Sequence, residues 1–191
     1  MAEPMSSTTP RTYEEGLACL RGEDLAEYRK KAAQRSALSA ESNRYRDLPP
    51  DQWPDLQFNW DLSFEGRCHT LDGTTPETFQ SHYQLGFRLG WVAIANFDAK
   101  LCHFSRRDGI EELWSLGTAS KLAHLIAYLA HGFPISPPLV KPLPSGELIL
   151  QGGHHRYAAA KAKELDPIPI YVEPANVASV ERIVSVRWQD A

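Results

Sequence analysis

Apolar side chains fall along this chain in helical and strand rhythms. Leu17, Leu20, Leu25, Tyr28 and Ala32 recur at near-helical spacing, so a helix is expected over 13–37, broken near Gly22. Phe79, Tyr83, Phe87 and Trp91 occupy every fourth position, which predicts a helix over 76–95 with its aromatic stripe in the core. Leu122, Leu125, Ile126 and Leu129 share one face of a further helix, and Lys121, His124, Tyr128 and His131 share the opposite face. Thr118 or Ser120 is placed to cap that helix, and Gly132 and Pro134 to end it.

Short apolar runs bounded by turn residues predict the strands. Segments 138–143 and 147–151 read as a hairpin closed by Pro144, Ser145 and Gly146. A helix over 154–165 follows, stopped by Asp166 and Pro167, then a strand over 168–172. A strand is also expected over 101–105, a short helix over 176–182 and a last strand over 183–188. Pro49, Pro50, Pro54 and the pair Asp72–Gly73 punctuate the first half, and the Ser/Thr/Pro-rich start, 1–10, is expected to be disordered. This order predicts an α+β fold: a small mixed sheet with helices on it, residues 96–191, preceded by a mainly helical region, 1–95, packed on the same core.

Composition narrows the class. With 191 residues, 42% hydrophobic and 23% charged, the chain has the make-up of one globular domain, with or without an appendage. A net charge of −4 argues against a surface coated for nucleic acid. Yet residues 120–165 hold five basic and two acidic side chains, a local excess of positive charge suited to an anionic ligand. Arg29, Lys30, Lys31 and Arg35 form a second basic run, best explained as a solvated helix face. Cys19, Cys68 and Cys102 are odd in number and lack metal-ligand spacing, so neither a disulfide framework nor a metal site is expected. Without a signal-like start or a membrane-length apolar run, a cytoplasmic protein with no membrane insertion is expected.

The stretch from Leu148 to Ala159 carries the candidate chemistry. An apolar strand runs into Gly152 and Gly153, then His154, His155, Arg156 and an alanine-rich helix. Glycines admit close backbone approach, and the first amides of a helix favour negative charge. His155 and Arg156 add donors on the same turn, and Lys121 and His124 face it from the neighbouring helix. These six residues are therefore candidate phosphate ligands. His154 is the candidate general base, since an imidazole titrates near neutrality, and Glu147 is a second candidate base or metal ligand. The plainer alternative is a solvated strand-to-helix turn, with Glu147 a solvent-facing hairpin residue.

The sequence Gly152-Gly153-His154-His155-Arg156-Tyr157-Ala158-Ala159, followed by Ile168-Pro169-Ile170-Tyr171-Val172, resembles the nucleotide-binding signature and next strand of the ParB/sulfiredoxin superfamily. The likeness covers 102–173. It implies a ParB/sulfiredoxin-like fold and phosphates held at the signature, usually with Mg²⁺. Lys121 falls where the sulfiredoxin branch has a basic residue, whereas His124 and Tyr128 replace smaller hydroxyl residues. His154 stands at the position of the sulfiredoxin nucleophilic cysteine, so sulfinic-acid repair is not expected. Some twenty residues follow Val172, too few for the DNA-binding and dimerisation regions of a partition protein. Size and motif position also resemble plasmid-encoded fertility-inhibition proteins. That likeness implies an ATPase and DNase that acts on nucleotide and DNA and blocks DNA transfer through a type IV secretion system, with secretion-system or transfer-complex proteins as partners. A non-catalytic inhibitor and a small-molecule kinase, for an amino acid for example, are the alternatives.

Overall fold

The computed structural model describes residues 12–189, so the expectation of disorder over 1–10 lies outside the described residues. The chain divides into two compact units, 1–41 and 42–191.

In the first unit, helix α1 (Tyr13–Leu20) begins at a capping box: the Thr12 hydroxyl accepts from the Glu15 amide, and the Glu15 carboxylate accepts from the Thr12 amide. Gly22, at φ +77°, ends the helical path, and helix α2 (Leu25–Ser42) starts after Asp24 accepts from the Glu27 amide. The break near Gly22 is the one expected. Of the basic run on α2, Arg29 pairs with Glu15 at 2.7 Å, while Lys30, Lys31 and Arg35 face solvent.

The second unit is built on a five-stranded mixed sheet in the order β3-β2-β4-β1-β5, flanked by helices. Strand β1 is Arg88–Val92, β2 Leu139–Pro142, β3 Leu148–Gly152, β4 Ile168–Val172 and β5 Arg187–Trp188. The hairpin β2–β3 forms as the turn Pro144-Ser145-Gly146 predicts. β4 lies at the centre, parallel to β2 and antiparallel to β1, and all five of its residues are buried, which explains its unbroken apolar run. Its side chains alternate between two cores. Ile168, Ile170 and Val172 join Val140, Leu148, Leu150 and Tyr157, whereas Tyr171 joins Leu139, Phe79, Phe87 and Leu89. The fold is therefore α+β.

Helix α3 (Pro76–His82), α4 (Ile94–Asp98) and α5 (Ile110–Trp114) are short. Helix α6 (Ala119–Ala130) buries Leu122, Ile126 and Leu129, as its periodicity predicts, and packs on α7 (His154–Ala162) through Ala158 and Ala159. Helix α8 (Val177–Glu181) precedes β5.

Three secondary-structure expectations are corrected. The helix predicted over 76–95 ends at His82, and 88–92 form β1. The every-fourth aromatics mislead because they mix two elements: Phe79, Tyr83 and Phe87 cluster around the turn, with Phe87 edge to face against the other two, and Gly86, at φ +61°, reverses the chain. Gly90 then suits a strand, since a β-carbon there would strike Val186 and the Trp188 ring. The strand expected over 101–105 is a single bridge from Leu101 to Leu148 followed by a turn. There the Ser105 hydroxyl accepts from the Leu150 amide and covers the edge of β3. The strand expected over 183–188 is only two residues long. Positions 95–96, the boundary expected from sequence, lie within α4, and the division into compact units falls after Glu41.

Candidate functional site

The turn into α7 has the backbone its sequence anticipates but a tighter interior. Gly153 is left-handed, at φ +83°, and no side chain caps the helix, so the first-turn amides have no side-chain acceptor. Both glycines, however, face the protein's own chain. A β-carbon on Gly152 would lie 2.5 Å from the Thr70 carbonyl oxygen, and one on Gly153 would lie 2.9 Å from the Pro138 α-carbon. The absent side chains are thus required for packing, whatever else occupies the turn.

Arg156 follows the same logic. One guanidinium nitrogen donates to the Ser136 carbonyl at 2.6 Å and the other to the Thr70 carbonyl at 2.7 Å. Burial lowers its pKa to about 10, against the raising influence of Asp72. The fork expected to grip phosphate is committed to tying the segment before β2 and the end of the 3-10 turn Glu65–Thr70 to α7. The Thr70 hydroxyl donates to the Pro137 carbonyl in the same knot.

His155 donates from Nε2 to the Leu116 carbonyl at 2.8 Å, which fixes the tautomer and leaves Nδ1 as the acceptor of the neutral ring. Burial lowers its pKa, partly offset by that hydrogen bond. His154 is also half-buried, and burial, followed by the positive charge of Arg107, lowers its pKa below the ordinary imidazole value. Both rings are therefore biased towards the neutral form near pH 7.

Lys121, on the first turn of α6, pairs with Asp72 at 3.0 Å, both side chains being exposed. The lysine holds the Asp72 carboxyl below its usual range, chiefly through this hydrogen bond, with smaller help from Arg156 and His155. His124 is half-buried one turn further on and makes no hydrogen bond or ion pair with the described residues. Tyr128 and His131 leave the site. Tyr128 donates to the Pro134 carbonyl, and both rings pack on Phe133 at the far end of α6, about 15 Å from Lys121 by helical rise.

Glu147 is not brought to the turn. It is an exposed hairpin residue whose carboxylate accepts from the Ser145 hydroxyl. The length of β3, about 17 Å, separates it from Gly152. The structure thus gathers Gly152, Gly153, His154, His155, Arg156 and Lys121 around one helix start and leaves Glu147 at the opposite end of the strand.

Two members of this neighbourhood were not singled out from sequence. Asp72 reads locally as half of an Asp-Gly turn, and its role depends on a partner 49 positions away. Arg107 reads as part of a polar turn, yet its charge acts on His154; it donates to the His103 and Arg106 carbonyls while its Nε is buried without a partner. Beyond His154, α7 is held by an ionic knot in which Tyr157 donates to Asp98 and Lys161 bridges Asp98 and Asp108, each at 2.9 Å.

Among the described residues, no group of three or more His, Cys, Asp or Glu side chains is placed to hold a metal ion, and no helix is long and apolar enough to cross a membrane. No family model, curated protein or solved structure matches the chain.

Proposed function

We propose that the start of α7 is a phosphate-binding site and that the protein is a nucleotide-binding phosphohydrolase of ParB/sulfiredoxin type. The observation that carries this reading is an uncapped helix N-terminus flanked by two imidazoles and a lysine. The amides of His154 and His155 supply the backbone donors, and Lys121, exposed and paired with Asp72, supplies a cation. Arg156 contributes its positive field and the shape of the turn rather than its fork.

His154 fits the role of general base, because a ring kept neutral by burial and by Arg107 accepts a proton from water. Mg²⁺ suits a site with a single carboxylate, because that ion commonly uses one or two carboxylates together with substrate phosphates. Asp72 is the residue that would hold it; the ion would neutralise phosphate charge. Glu147 has no part in this scheme.

Calorimetry and phosphate release with ATP, ADP, CTP and GTP, with and without Mg²⁺, test the reading. Binding should fall in Lys121→Ala, and turnover, but not binding, should fall in His154→Gln. If wild type binds none of the four nucleotides, the site is structural and the non-catalytic interaction reading replaces it. If wild type binds and turns over ATP, a plasmid DNA cleavage assay follows.

A further inference from the structure

At the other end of the sheet, a cleft of about 600 Å³ opens between the β2–β3 hairpin and α8. Pro142, Leu143, Pro144 and Ile183 make its apolar walls, and Lys100, Ser179 and Arg182 its polar ones. Its volume is that of a site for a small organic molecule. Among the described residues, no acidic side chain lines it.

The polar wall is made of donors. Lys100 and Arg182 are both exposed, and neither forms an ion pair with a carboxylate among the described residues. Arg182 donates to the Ser179 hydroxyl at 3.0 Å, which positions the guanidinium and leaves the hydroxyl proton free to donate in turn. The nearby acids are engaged elsewhere. Glu181 accepts from the Trp188 indole, Glu147 from Ser145, and Asp98 from Tyr157 and Lys161. The framework is fixed as well: the Lys100 carbonyl accepts from the Leu148 amide, and the Gly146 amide donates to the Leu143 carbonyl. Gly146, at φ +82°, has open space where a side chain would stand.

We propose that this cleft binds a small organic anion, with a carboxylate or phosphate head on Lys100, Arg182 and Ser179 and an apolar body against Pro142, Leu143, Pro144 and Ile183. Guanidinium and ammonium together match a two-oxygen anionic head, and the apolar walls select against a bare inorganic ion. The site shares no residue with the α7 turn, so the two readings stand or fall separately.

The test is calorimetry with phenyl phosphate, phenylacetate and inorganic phosphate on wild type, Lys100→Gln, Arg182→Gln and Lys121→Ala. One of the two aromatic anions should bind wild type more tightly than inorganic phosphate. Its binding should weaken about tenfold in Lys100→Gln and in Arg182→Gln, and any component that only Lys121→Ala removes belongs to the α7 turn. Phenyl phosphate binding above phenylacetate identifies a phosphate head, and the reverse order a carboxylate. Binding that neither cleft variant alters, binding lost only in Lys121→Ala, or no binding of either aromatic anion overturns the proposal. Unchanged circular dichroism and urea midpoints in the variants, expected for exposed side chains, exclude unfolding as the cause of a loss.

Discussion

Replacing Arg156 with methionine removes two hydrogen bonds from a partly buried cation and leaves the Ser136 and Thr70 carbonyls unpaired. An orphaned buried acceptor costs about 1–3 kcal/mol, so the two together cost about 2–6 kcal/mol. Methionine also relieves the burial of a charge, whose cost is visible in the fall of the Arg156 pKa to about 10. The lower end of the range is therefore expected, about 2–3 kcal/mol. With a urea m-value of about 1.5–2 kcal/mol/M for a protein of this size, the unfolding midpoint should fall by about 1–2 M. Lys121→Met, which loses one exposed ion pair, should move it by less than about 0.5 M. The assay is urea denaturation followed by tryptophan fluorescence. An Arg156→Met midpoint equal to that of wild type would refute the view that this residue ties the turn together. It would also restore Arg156 as a free phosphate ligand. The expected result means that loss of binding in an Arg156 variant is ambiguous, whereas loss in a Lys121 variant is not.

Gly153→Ala should destabilise by about 2–3 kcal/mol in the absence of any ligand, from the left-handed backbone and the approach to Pro138; an unchanged thermal midpoint would contradict this. Burial lowers the folded-state pKa of both His154 and His155, so the unfolded chain binds more protons just below its own imidazole pKa. Stability is then full above about pH 6.5 and declines as pH falls through the depressed folded values. Urea midpoints at pH 7.5, 6 and 5 should fall in that order, with a shallower fall in His154→Gln; a flat profile would count against the burial. Tyr157→Phe should cost about 1–2 kcal/mol by removing the bond to Asp98, read from the same denaturation curve.

Much of the fold was legible because its signals are local. The α6 stripe, the Pro-Ser-Gly hairpin and the β4 run each rest on neighbours within a few residues. The 76–95 segment was not, because a helical aromatic rhythm arose from a short helix, a turn at Gly86 and a strand, and the strand's Gly90 is required by contacts with the distant Val186 and Trp188. The site divides in the same way. Its helix start, glycines and histidines lie on consecutive residues and were readable. The commitment of Arg156 to Ser136 and Thr70, the Lys121–Asp72 pair and the action of Arg107 on His154 each join separated segments, and no spacing rule announces them. Glu147 shows the converse: close in sequence to the turn, it is carried away by an extended strand.

The most direct measurement is amide NMR of the isotopically labelled protein during titration with ATP and Mg²⁺. A phosphate at the start of α7 should shift the His154, His155 and Arg156 backbone amides together and saturably, with the Lys121 amide following and the Glu147 hairpin unmoved. Saturable shifts confined to other residues, or no shift at these three amides at millimolar ATP, would contradict the account.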